Sequence, residues 1–170
     1  MVDRMGQSRC NVPGDVAPDE KENLMMNGDP KLDLGRFLAA QTESYAQALQ
    51  ELRSGQKRSH WMWYIFPQLE GLGNSQTARH FALRSADEAR AYLAHPLLGR
   101  RLVDVTEAVL AHADRSLLEI FGHPDDLKFR SSMTLFAAVA LNDEGAVFRR
   151  ALDVFCDGVP DTATLRLLGD

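Results

Sequence analysis

Three stretches of this chain hold residue types whose spacing could do chemistry. The first is Gly71-Leu72-Gly73-Asn74-Ser75, two glycines leading to a serine that opens a helical pattern. Glycines admit positive φ and close backbone approach, and the free N–H groups of a helix start favour a phosphate or carboxylate. Arg79, one turn further on, and His60, just upstream, would add charge to such an anion site. A tight turn with Ser75 as a cap is the plainer reading, since two glycines alone are a weak signal. The second stretch is Lys128-Phe129-Arg130-Ser131-Ser132-Met133-Thr134. On a helix Lys128 shares a face with Ser131 or Ser132, and polar groups that interrupt an apolar helix need partners if buried. They suit a small polar ligand. A Ser–Lys nucleophile pair would further require Lys128 to lose its proton in a dry pocket. The plainer alternative bonds the hydroxyls back to helix carbonyls and leaves Lys128 exposed or paired with an acid.

The third stretch is His60-Trp61-Met62-Trp63-Tyr64-Ile65-Phe66, which gathers both tryptophans with a tyrosine and a phenylalanine. On a helix His60, Trp63 and Tyr64 share a face and Trp61 falls elsewhere. This is either a stack for a base or sugar ring or a packed core. The imidazole of His60 could serve as a general base or a phosphate donor. The candidate ligand-binding set is therefore His60, Trp63, Gly71, Gly73, Ser75, Arg79, Lys128, Ser131 and Ser132, with no catalytic residue assigned. His80, His95, His112 and His123 are too widely spaced for a metal site, and no cofactor is implied. A phosphate-binding G-x-x-x-x-G-K-[ST] loop and a G-x-S-x-G nucleophile elbow are both missing, which removes two common enzyme classes.

The elements that would position these residues are helical. Asp33 can cap a helix with Leu34, Phe37, Leu38, Tyr45, Leu49 and Leu52 at steps of three and four, ended by Gly55. The aromatic segment reads as a short helix before Pro67. Ser75 caps the next, and Ser85 with Glu88 has the spacing of a capping box. His95-Pro96 marks a junction before an amphipathic helix over Leu97 to His112. A short helix over Ser116 to Phe121 stops at Gly122. Pro124, Asp125 and Asp126 suit a helix start, and that helix runs towards Leu141, with a break near Ser131-Ser132 to be considered. Asp143 starts another, carrying Val147, Phe148, Leu152 and Phe155. The expected architecture is all-α, a compact single-domain bundle of about seven or eight helices over residues 31–170. Residues 1–30, with three basic and six acidic residues and no sustained periodicity, read as a disordered or loosely docked extension.

At 170 residues, 45% apolar and 25% charged, the composition is that of an ordinary soluble domain able to bury its own core. No apolar run approaches a membrane span. A net charge of -5 argues against non-specific nucleic-acid binding. The charge is uneven: residues 53–101 carry eight basic and three acidic residues, residues 102–170 six and twelve. That pattern fits either two solvated faces or a basic site set in an acidic body. Cys10 and Cys156 form no disulfide framework, Cys156 reads as a small buried residue, and the polar start lacks a signal core, so a cytoplasmic monomer or homodimer is expected.

Ser59-His60-Trp61-Met62-Trp63-Tyr64-Ile65-Phe66-Pro67-Gln68, followed by Gly71-Leu72-Gly73-Asn74-Ser75, resembles the signature of an uncharacterised bacterial domain family whose members are often labelled "calpastatin". Tyr92 to Gly99 and Asp125 to Phe136 fit the same resemblance, which spans roughly residues 33–168. It implies a small, mostly helical single domain with no established activity. The label itself is a poor guide: a calpastatin inhibits its protease through largely disordered repeats, the physical opposite of this helical, repeat-free chain. The expected function is binding of a phosphorylated or nucleotide-like small molecule near the aromatic and glycine-loop segments, with catalysis left open. A non-catalytic, self-associating helical interaction module is the alternative.

Overall fold

The computed structural model describes residues 32–169, so the expected extension over residues 1–30 lies outside the described part. The described residues are all-α, with nine α-helices in chain order: α1 (Gly35–Arg53), α2 (Met62–Ile65), α3 (Gln76–Phe81), α4 (Ala86–Ala94), α5 (Leu98–Leu110), α6 (Leu117–Phe121), α7 (Asp125–Val139), α8 (Ala146–Cys156) and α9 (Thr162–Leu168). A 3-10 turn, Asn142–Gly145, leads into α8. The expected break near Ser131-Ser132 does not occur, and α7 is continuous. α9 escapes a reading based on apolar periodicity. Its signal is an Asp161 cap that accepts from the Thr164 N–H at 2.9 Å. No helix among the described residues is long and apolar enough to cross a membrane.

The start signals work as capping chemistry predicts. Ser75 and Ser85 accept from the N–H groups of Ala78 and Glu88. The Ser85/Glu88 box is only half made, because Glu88 is diverted into the core, where it accepts from the Arg84 N–H at 2.6 Å and meets Arg36 at 2.8 Å. A complete capping box forms instead at Ser116 and Glu119. At the His95-Pro96 junction His95 Nδ1 accepts from the N–H groups of Leu97 and Leu98, and so caps α5.

α7 runs through the centre, packing on α4, α6, α8 and α9. It is buried almost all round, with Phe129, Ser132, Met133, Leu135 and Phe136 fully enclosed, which explains why its apolar stripe is weak in sequence. Burial of each phenylalanine stabilises the fold by about 2–3 kcal/mol. Phe129 makes edge contacts with Phe66 and Phe155 and stacks on Phe121. Cys156 is half-buried rather than enclosed, and burial pushes its thiol up from the ordinary range.

α1 grips the aromatic segment at both ends. Near its C-terminus the buried Glu51 carboxylate accepts from the N–H groups of Arg58 (2.8 Å) and Ser59 (3.1 Å), the Trp61 indole (2.8 Å) and the Ser59 hydroxyl. One heptad and a half earlier, Gln41 donates to the Tyr64 carbonyl at 2.8 Å and the Tyr92 hydroxyl at 2.9 Å. These bonds fix a single helical turn, α2, that sends Trp61 into the core and leaves Trp63 half-buried on the other side.

Burial alone would raise the Glu51 carboxyl. The Ser59 hydroxyl, the two backbone N–H groups and the Trp61 indole outweigh it and bring the group down from 4.5 to about 2. A carboxylate depressed in the folded state contributes stability that is present above its unfolded value and lost as pH falls through the folded one. The shift corresponds to roughly 3 kcal/mol. In urea titrations the wild-type midpoint is expected to fall steeply between pH 5 and pH 2, and Glu51→Gln to start lower at pH 7 and change less across that window. Equal pH slopes for the two proteins would refute this account of Glu51.

Candidate functional site

Between the aromatic turn, the glycine loop, the start of α7 and the start of α9 lies an open cleft of about 500 Å³, within the range of small-molecule sites. Its walls include Trp63, Leu72, Pro124, Leu127 and Ala163. Gln68, Asn74, Ser75, Lys128, Ser131 and Asp161 supply its polar groups. Of the residues singled out from sequence, Trp63, Gly73, Ser75, Lys128 and Ser131 therefore share one cavity.

The others fall outside it. Gly71 and Arg79 line a narrow adjoining hollow together with Trp63, Gly73 and Gln68. His60 is exposed and does not line the cleft. Ser132 is enclosed in the core, because successive positions on α7 point in different directions, and Lys128 and Ser131, three apart, reach the cleft where Ser132 does not. The helix behind Ser75 is six residues long and its serine already accepts from Ala78. The helix start thus supplies little of the anion site that the glycine loop suggests.

Lys128 is held from two sides. Its Nζ lies 3.9 Å from the centroid of the Trp63 ring, a cation–π contact, and it donates to Asp125 Oδ1 at 2.7 Å. The other Asp125 oxygen meets Lys57 Nζ at 2.8 Å. Burial pushes the Asp125 carboxyl up, but the hydrogen bonds and charges of Lys128 and Lys57 outweigh it, and the group ends below its ordinary value. Two ammonium groups thus share one carboxylate. With one N–H on Asp125 and the Trp63 ring against the ammonium, Lys128 has no other acceptor among the described residues and keeps an N–H donor for a ligand.

The single O–H of Ser131 is shared between the Leu127 carbonyl and Asp161 Oδ2, each 3.2 Å away. The Thr134 hydroxyl donates to Arg130 O and accepts from the Asp161 N–H at 2.8 Å. The hydroxyls of α7 are thus partly bonded back to its own carbonyls and partly used to dock α9. No Ser–Lys pair forms, since Lys128 is turned to Asp125 and Ser131 to Asp161. Asp161 Oδ2 also accepts from Thr164, while Oδ1 has no partner among the described residues.

Gln68 did not stand out as a ligand-binding residue in the sequence, although it closes the aromatic decapeptide. It is 8% exposed, and its Nε2 has no hydrogen-bond partner among the described residues. An unpartnered buried donor costs about 1–3 kcal/mol. Its backbone is fixed by an isolated parallel bridge in which Leu83 N–H donates to Gln68 O at 2.9 Å and Glu70 N–H to Leu83 O at 2.8 Å. Asp161 gives as little signal in the sequence as α9 does: a lone Asp directly before a Thr-rich start has little apolar context.

Gly73 owes its identity to space. A Cβ there would lie 2.6 Å from the Ala78 methyl and 3.4 Å from the Trp63 ring. Gly73→Ala should displace one of these neighbours and cost about 1–3 kcal/mol, read by calorimetry as a Tm lowered by several degrees. An unchanged Tm would mean that the loop yields freely.

A family model described as "Protein of unknown function (DUF1810)" matches residues 31–168. A solved structure, that of the conserved hypothetical protein Rv1873 from Mycobacterium tuberculosis, is similar at 47% sequence identity. The match covers 82% of this chain and 98% of that one, with a TM-score of 0.79. No curated protein matches.

Proposed function

The chain belongs to the DUF1810 family, and from the geometry of this member we propose that its cleft binds a phosphorylated or nucleotide-like small molecule. The observation that carries this reading is the placement of Lys128, with an N–H donor unused, in a cleft of about 500 Å³ whose other walls are largely apolar. A lysine ammonium serves as a compact point charge for phosphate, and Trp63 and Asp125 hold this one in place. The body of the ligand would lie against Trp63, Leu72 and Leu127. Ser75 and Asn74 offer further hydrogen bonds from the glycine loop. His60 and Ser132 drop out of the ligand-binding set, and Arg79 and Gly71 belong to the hollow beside it.

The reading is one of binding, and it assigns no nucleophile or general base. The alternative, a self-associating helical module, would draw on the exposed Leu118, Leu127 and Leu141. Of the exposed apolar residues, Leu127 and Val159 do line one groove with Leu117 and Phe155, but single exposed leucines such as Leu141 are ordinary on soluble proteins. Protease inhibition in the manner of a calpastatin has no part in the reading, because the described residues pack around one core rather than forming separate extended repeats.

The test is calorimetric titration of the full chain with inorganic phosphate, ribose 5-phosphate and the four common ribonucleoside monophosphates. At least one is expected to bind, and Lys128→Ala to weaken it by about 10- to 100-fold, the loss of a charge-assisted contact of 1.5–3 kcal/mol. Binding that is unaffected by Lys128→Ala would remove the cleft from consideration.

A further inference from the structure

Three buried side-chain atoms have no hydrogen-bond partner among the described residues: Arg36 Nε, Ser132 Oγ and Gln68 Nε2. The first belongs to a guanidinium already engaged with Glu88 and with the Ala82 carbonyl. The second is a hydroxyl enclosed in the core. Only the third belongs to a residue that lines the cleft. Gln68 lines the adjoining narrow hollow as well, and its Nε2 is enclosed, so a turn of the side chain is needed to bring the donor to whatever fills the cleft. A buried amide is normally satisfied by the protein itself, and this one gives up no partner among the described residues by turning.

We infer that Gln68 selects the ligand of the cleft, its side-chain amide donating to a carbonyl or ring-nitrogen acceptor on the base of a nucleotide. This rests on the binding reading above and deepens it from an anion site to a site for a phosphate carried on a flat heterocycle. The surroundings point the same way. Trp63, Leu72, Leu127 and Pro124 give apolar walls that suit a ring and give a bare sugar phosphate nothing to lie against. Lys128 supplies the charge for the phosphate. Asp161 Oδ1 remains an acceptor for a ribose hydroxyl, since Oδ2 alone takes the bonds from Ser131 and Thr164.

Gln68 is also pre-set for the role. The bridge to Leu83 holds its carbonyl and the N–H of Glu70, and Leu69 and Leu83 are themselves buried. A ligand therefore pays little to order it. Specificity follows because a site built around an unpartnered donor rejects a molecule that cannot pair it more strongly than an apolar pocket rejects a poor shape.

The experiment compares wild type, Gln68→Met and Gln68→Glu by titration with the four ribonucleoside monophosphates, ribose 5-phosphate and inorganic phosphate, and records the Tm of each unliganded protein. Wild type is expected to bind at least one nucleotide about tenfold or more tighter than ribose 5-phosphate. Gln68→Met should erase that margin while leaving ribose 5-phosphate within about twofold, and its unliganded Tm should equal or exceed that of wild type because an unpaired polar group has gone. Gln68→Glu, which keeps the shape and loses the donor, should erase the margin too and keeps the test alive if Gln68→Met fails to fold. Equal weakening of nucleotide and ribose 5-phosphate would overturn the role of Gln68 and leave the binding reading standing. So would no nucleotide preference in wild type. Failure of every phosphate compound to bind wild type would overturn both.

Discussion

The carboxylate of Glu51 is the constraint on which the rest of the cleft depends. The loop after α1 carries several donors that would otherwise face the core unpaired, and one ionised side chain gathers four of them from Arg58, Ser59 and Trp61. Hydrogen bonds to a charged acceptor are stronger than neutral ones, and removal of the acceptor would leave the buried Trp61 indole N–H unpaired and the other three donors to water. With Gln41 holding the far end at Tyr64, the aromatic turn has one position open to it. Trp63 then stands where the cleft needs a wall. The anchoring groups, Gln41 and Glu51, both belong to α1, a helix that does not itself line the cleft.

α7 makes the second link between core and site. Lys128 and Phe129 are neighbours in sequence, the one over Trp63 and the other packed against Phe66 and Phe121. A helix buried on nearly every side cannot rotate without opening the core, so the position of Lys128 is as fixed as the packing beneath it. Asp125 adds an electrostatic tether: shared between Lys57 and Lys128, it connects the loop that precedes the aromatic turn to the start of α7. The charge asymmetry of the sequence is realised here on a small scale, with cations from both halves of the chain meeting at one acid.

Local physics was legible in the sequence where it acts locally. Ser75, Ser85 and Ser116 cap helices as their side-chain chemistry dictates, Gly55 and Gly122 follow helix ends with positive φ, and the periodicity of α1, α5 and α8 shows directly which faces they bury. What escaped was long-range. Glu88 completes a capping box by spacing, yet its carboxylate is claimed by Arg36 from another helix. His60 and Trp63 share a face on an ideal helix, but α2 is one turn long and starts after His60, so the shared face never forms. Ser131 and Ser132 look alike in sequence and part company at α7, one towards Asp161 and the other into the core. Gln68 was invisible because its importance lies in a missing partner, which only the folded chain reveals.

The two tryptophans, two positions apart, occupy opposite environments: Trp61 is enclosed with its indole N–H on Glu51, while Trp63 is half-buried with an ammonium against its ring. Since the chain has 2 Trp in all, its ultraviolet emission divides into a core signal and a cleft signal that respond to different events. Loss of tertiary packing shifts the first, and occupancy of the cleft or displacement of Lys128 alters the second. The molecule thus carries its own optical readout, one chromophore for folding and one for binding, without any label attached.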